Sequence, residues 1–428
     1  MTGVIVSMKS FSRSGALFGN FFGNKVIRVI LMSSFFLQMG VWTRNFAVLL
    51  YVMEQTNNDS VAVSWIYVAE YAPIFIFSVI GGTFADRWRP KKTMVNCDLL
   101  SALSILVVLL ALIGGSWRAI FFTTLISSIL SQFSQPSGMK LFKQHVPEDQ
   151  VQTGMAMYQS LISLFMVIGP ALGTLVFSTL GIYVSIGLVG IAFLMSAAML
   201  SMLPADRATA TAKNKPPVLR ELRDGLRYVF FNPVLRLLGI AFALGGLAVG
   251  IIQPLGIFLV VDRLHLDKEY YQWFSIANVI AMVVGGGLVV GISKRVSSQK
   301  ILAIGNLISG FSVVGVGLST NFNLSLVMQF IRGFVQPFIQ VGINTIVMKS
   351  TEEAYVGRVN GLFGPVFMGT MLLMIMLSGW LSTFVPLVTM FVLSGVFFLI
   401  ATAVISLMFK LELSTKYSSS ANASVTNQ

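Results

Sequence analysis

Apolar runs of membrane-spanning length recur through this chain, separated by short polar turns, and they leave few folds open to it. They cover roughly 26–53, 63–85, 94–114, 119–139, 151–178 and 183–203, then 234–261, 269–292, 300–319, 324–348, 358–381 and 386–409. A helix needs about 20 apolar residues to cross the hydrocarbon layer, and inside that layer only a helix satisfies its own backbone. The expected fold is therefore an all-α membrane protein with twelve transmembrane helices. Residues 1–25 form an N-terminal segment and 26–203 the first six helices; 204–233 is a linker, and 234–409 holds the second six. The Ser/Asn/Thr-rich tail, 410–428, is expected to be disordered from Ser414 onward.

Composition agrees. The 428 residues are 55% hydrophobic and only 11% charged, with a mean hydropathy of +0.82. The net charge of +13 does not call for nucleic acid, because its placement follows topology. With both termini cytoplasmic, about 24 Lys/Arg lie inside and only Arg118, Arg263 and Lys268 outside. One cysteine, Cys97, excludes an internal disulfide, and the distant His145 and His265 offer no metal-ligand spacing. Neither a Ser/His/Asp set nor a phosphate-binding glycine loop is present, so an enzyme is not expected, and neither is a cofactor. Residues 1–24 lack a signal-peptide cleavage site, and Phe11, Leu17, Phe18, Phe21 and Phe22 beside Lys9, Arg13 and Lys25 suit an interfacial helix. Between the halves, Pro217 to Phe230 alternates at helical spacing with one basic and one apolar face. It is either a solvated linker or a helix touching anionic lipid.

The densest charge lies between the second and third runs, at Gly81-Gly82-Thr83-Phe84-Ala85-Asp86-Arg87-Trp88-Arg89-Pro90-Lys91-Lys92. Charges cannot face lipid there without costing several kcal/mol each. Gly82, Asp86, Arg87, Lys91 and Lys92 resemble the loop between helices two and three of the major facilitator superfamily. Arg89 and Pro90 replace that loop's usual glycine and arginine. A repeat supports the resemblance. Gln132 to Pro136 and Gly333 to Pro337 are matching landmarks, as are Gly169-Pro170 and Gly364-Pro365. Gly287, Gly291, Lys294, Arg295 and Lys300 keep a degraded second copy of the charged turn. The resemblance implies two six-helix pseudo-repeats that rock about a central site. It also implies a cytoplasmic gate in which Asp86 meets the start of helix eleven near Arg358 and Asn360. Gly169-Pro170-x-x-Gly173 is similar to the helix-five bend of the antiporter branch, with Phe165 and Thr174 in place of two further glycines.

Few ionisable residues fall inside the runs. Arg44 and Glu70 sit at matching depth on consecutive helices, Arg44 roughly 12 Å from its helix end. They are either a static ion pair or a pair whose proton occupancy changes when substrate competes for one partner. Tyr67 and Tyr71 flank Glu70 at helical spacing. With Trp65 and Ile74 they make either a wall for a lipophilic, cationic substrate or ordinary helix packing with an aromatic belt. Arg332 has no acid in its own run, and its partner is a substrate, Glu70 or backbone carbonyls. Gln253, Asn278, Gln329, Gln336, Gln340 and Asn344 either line a midplane cavity or bridge helices.

The expectation is a monomeric secondary transporter in the plasma membrane, similar to the drug-efflux branch that includes macrolide and siderophore exporters. Its partners are a small lipophilic substrate, protons and the bilayer. A metabolite facilitator or importer, or a lysophospholipid flippase on the same fold, is the alternative.

Overall fold

The computed structural model describes residues 25–206 and 218–425, with side chains for all of these except 78–87, 149, 218–222, 290, 354 and 410–425. The N-terminal interfacial helix expected within residues 1–24 lies outside them. The described chain is all-helical. In order it forms α1 (Lys25–Gln55), α2 (Ser60–Arg87), α3 (Pro90–Ile113), α4 (Ile120–His145), α5 (Glu148–Ser201) and α6 (Val218–Phe231). There follow α7 (Pro233–Phe258), α8 (Tyr271–Ile292), α9 (Ser298–Leu318), α10 (Phe322–Ser350), α11 (Val356–Leu381) and α12 (Leu387–Val425).

Among the described residues, ten helices are long and apolar enough to cross a membrane, against the twelve expected. Two physical causes account for the difference. Helix α5 runs through both the fifth and sixth apolar stretches as 54 residues, interrupted at Gly181, whose φ of 71° and ψ of 179° break the helical geometry. That left-handed φ is open to glycine at little cost. Helix α4 falls short in hydropathy because Thr123, Thr124, Ser127, Ser128, Ser134 and Ser137 make up its buried face. Several of these hydroxyls return to their own helix, as when Ser137 Oγ donates to the Phe133 carbonyl at 2.8 Å.

Helix α12 continues past its apolar part to Val425, through the stretch where composition suggests disorder. Its backbone extends a span already anchored at 387–409, and elongating a formed helix costs far less than starting one.

The chain packs as two units. Unit 1 comprises Met1–Tyr51 and Ile76–Thr211; unit 2 comprises Val52–Phe75 and Ala212–Gln428. Helix α2 therefore contributes its first half to unit 2 and its last turns to unit 1. In unit 1, α3 packs against α4 and α5. Ile27, Val29, Ile30, Leu141, Phe142 and Leu200 build one apolar cluster. In unit 2, α7 packs on α11 and α12, α9 on α10 and α12, and α8 on α10. Lipid tails are as apolar as leucine, so burial alone does not join such helices; close backbone approach does. At the α7–α11 seam a Cβ on Gly250 would lie 2.5 Å from the Met371 carbonyl oxygen, so a side chain there would separate the helices.

Candidate functional site

Unit 2 brings four of the ionisable and aromatic candidates together and adds one that the sequence did not single out. Tyr67, Glu70 and Tyr71 occupy one face of α2, and the rings of Tyr67 and Tyr71 lie parallel, 6.4 Å apart with 7° between planes. Spacings of three and four residues put all three side chains on the same stripe. From α7, Gln253 donates its Nε2 to the Tyr71 hydroxyl at 2.7 Å. From α8, Tyr271 shares a hydrogen bond with Tyr67. Arg332 on α10 stands close enough to Tyr271 for its charge to act on the phenol. Glu70 acts in the same way on Tyr67 and Tyr71.

The result is a polar patch with an acid at one end and a guanidinium at the other, joined through phenols and an amide. All its members are half-buried rather than sealed into the core. Hydroxyl and amide groups at this depth need partners, and these side chains supply one another. Arg332 thus has Tyr271 beside it, a neighbour outside the partners expected for it. Tyr271 begins its helix beside Tyr270 and Trp273 and so reads in sequence as belt. Its spacing of seven from Asn278 was the available signal of a shared inward face. Gly256 leaves it room: a Cβ there would come within 3.2 Å of the Tyr271 hydroxyl.

The other amides split. Asn278 Nδ2 approaches the Gln329 carbonyl at 3.5 Å, at the seam where Gly333 packs on the Asn278 backbone, so this pair bridges α8 and α10. Gln336, Gln340 and Asn344 form an exposed line at spacings of four along α10, with Gln340 Nε2 3.4 Å from Asn344 Oδ1. Trp65, Trp273 and Trp380 are each about half exposed, as interfacial residues would be.

Unit 1 holds the remaining candidates. Arg44 is 3% exposed, and its Nε and Nη2 both donate to Asn45 Oδ1, at 3.1 and 2.8 Å. It belongs to unit 1, whereas Glu70 belongs to unit 2. Gly169 and Gly173 face α1: a Cβ on Gly169 would enter the Trp42 indole, and one on Gly173 would lie 2.7 Å from the Trp42 carbonyl oxygen. Pro170 stands between them inside α5. The Gly-Pro stretch is thus a close-approach surface for α1.

Of the charged turn, Gly82, Asp86 and Arg87 lie outside the residues whose side chains are described. Lys91 and Lys92 are well defined. Their backbone N–H groups donate to the two carboxylate oxygens of Asp206, at 2.8 and 3.2 Å, and so close the start of α3. In return, Lys91 Nζ donates to the carbonyls of Ser201 and Leu203 at and just beyond the last turn of α5. Negative charge at a helix start and positive charge at a helix end are each favourable, so the two helices cap one another. Sequence reading missed Asp206, which lies 115 positions from its partner.

A second polar chain lies deeper in unit 1. Ser33 Oγ meets Ser196 Oγ at 2.8 Å, and Ser196 donates to Asp98 Oδ2 at 2.6 Å, joining α1, α5 and α3. Asp98 is 3% exposed. Among the described residues, no group of three or more His, Cys, Asp or Glu is arranged to hold a metal ion.

The sequence matches the Major Facilitator Superfamily over residues 30–291 and again over 238–426. It is 26% identical over 323 residues to the multidrug efflux pump Tap of Mycolicibacterium fortuitum, covering 73% of this chain and 78% of that one. To macrolide efflux protein A of Streptococcus pyogenes it is 24% identical over 379 residues, covering 86% and 90%. In fold it is similar to the nucleoside transporter NupG, with a TM-score of 0.74 at 15% identity, over 90% of this chain and 99% of that one. These relatives and neighbours are transporters, not enzymes. A multi-pass helical protein with such relatives is a membrane transporter of drug-efflux type, and the chain belongs to the Major Facilitator Superfamily.

Proposed function

We propose that the protein exports lipophilic small molecules in exchange for protons, by alternating access through the Glu70 site. The observation carrying this reading is the patch of Glu70, Tyr67, Tyr71, Gln253, Tyr271 and Arg332. A carboxylate walled by phenols attracts an apolar cation through charge and ring faces together. An acid inside a span is costly to keep ionised, so a gradient-driven proton and a cationic substrate compete naturally for it. The names of the two efflux relatives agree with export. In this reading α4 and both parts of α5 also cross the bilayer, giving twelve spans as two six-helix repeats. Pro136 with Pro337 and Pro170 with Pro365, each inside a helix, are the repeat landmarks. The side bearing Lys91, Lys92 and α6 faces the cytoplasm, following the bias of Lys and Arg.

The test uses inverted membrane vesicles. The unaltered protein should accumulate a lipophilic cationic dye when the lumen is acidified and lose it on adding an uncoupler. Glu70→Gln should abolish the uptake at normal expression; undiminished pumping removes Glu70 from the mechanism. A metabolite importer would instead accumulate its substrate in whole cells under an imposed proton gradient.

A further inference from the structure

The linker helix α6 has one face docked and one face bare, and the bare face mixes residue types that neither water nor a protein core would select together. The docked face is well held. Gly225 meets the backbone of Arg358, Val229 is 7% exposed in the unit 2 core, and Tyr228 stacks on Tyr355 at 4.4 Å and 10°. The Tyr228 hydroxyl accepts the Glu352 N–H at 3.1 Å.

The bare face carries Arg223, Leu226, Arg227, Phe230 and Phe231, at spacings of three and four along one stripe. All five are exposed, Phe230 to 64% and Phe231 to 78%. The Arg227 guanidinium lies over the Phe231 ring at 5.9 Å. Only Asn232 separates this stripe from Pro233, the first residue of the apolar helix α7. The Asn232 Oδ1 accepts the amides of Val234 and Leu235, at 3.0 and 3.2 Å. The two phenylalanines therefore stand at the depth where hydrocarbon begins, with Arg227 and Arg223 one and two turns further from it. That is the order of groups met on passing from acyl chains to phosphates.

Beside the stripe opens a cleft of about 570 Å³ whose lining includes Arg227, Tyr228, Phe231, Asn232 and Tyr355. Asp224 also lines it, so one acid faces the two arginines of the stripe.

We propose that α6 is an anionic-phospholipid site: Phe230 and Phe231 enter the acyl boundary, Arg223 and Arg227 take the headgroup phosphate, and the cleft holds the headgroup. The occupant is a lipid of the surrounding bilayer. Soluble phosphate would use the arginines but has no use for the phenylalanines.

Phe230→Trp, in the full-length protein reconstituted into bilayers, tests this through quenching by brominated lipids, with the parent protein measured alongside to subtract its six tryptophans. Brominated phosphatidylglycerol should quench roughly fivefold more effectively than brominated phosphatidylcholine at equal mole fraction, as expected for one basic residue's attraction at an anionic surface. Adding Arg223→Gln and Arg227→Gln should make the two lipids equal, while the corresponding lysine changes should keep the preference. Equal quenching by both lipids without those changes overturns the headgroup assignment. Absence of quenching by either overturns membrane contact, and suppression of the preference by millimolar inorganic phosphate would mean that a soluble anion fills the site.

Discussion

The polar groups of the two units are arranged in opposite ways. In unit 2, Glu70, Tyr67, Tyr71, Tyr271 and Arg332 are half-buried and pass hydrogen bonds and charge among several helices. In unit 1, Asp98 is nearly sealed and tied through Ser196 to Ser33, three small side chains in a fixed chain. A group that must gain and lose a partner needs access, whereas a group that locks helices together needs closure. The contrast separates a working site from a structural one although both contain a carboxylate.

Several changes would break or sharpen that contrast. The largest effect is expected at Arg332. Arg332→Gln removes the guanidinium whose charge acts on Tyr271 and should lower transport about a hundredfold, as loss of a charged partner worth roughly 3 kcal/mol implies. Dye flux in proteoliposomes at matched protein measures it, and an unchanged rate would reduce the patch to packing. Next comes Gly173→Leu, which forces a side chain onto the Trp42 backbone. Overpacking of this kind costs about 1–3 kcal/mol, visible as a lower unfolding temperature in detergent. Tyr271→Phe deletes one hydroxyl from the shared network and should weaken dye binding about fivefold to tenfold, the worth of a single hydrogen bond. Smallest is Asp98→Asn, which retains an acceptor for Ser196 and should leave transport within about twofold. A tenfold loss with normal folding would put a second working carboxylate in unit 1 and end the distinction.

How much of this was legible in sequence depended on separation along the chain. The stripe of Tyr67, Glu70 and Tyr71 needed only helical spacing, and the membrane class needed only hydropathy. Tyr271, Gln253 and Asp206 took on meaning only through packing, since Gln253 reaches Tyr71 across 182 positions. Hydropathy also misjudged α4, because it sums residues without regard to facing: serines turned inward lower the total although the outward side is apolar, as Phe122 and Met139 show. The join between the fifth and sixth apolar stretches looked like a loop, yet a single glycine at 181 makes it a break in one long helix.

One side chain described above bears on how this protein should be handled as pieces. Asn232 not only closes the start of α7 but donates its Nδ2 to the Ser350 carbonyl at 2.9 Å, riveting the end of α6 to the end of α10. For co-expression of two fragments, or for a reporter inserted between them, the seam belongs ahead of Val218. A cut after Phe231 would strand α6 on the wrong polypeptide and leave the second fragment without the brace it folds against.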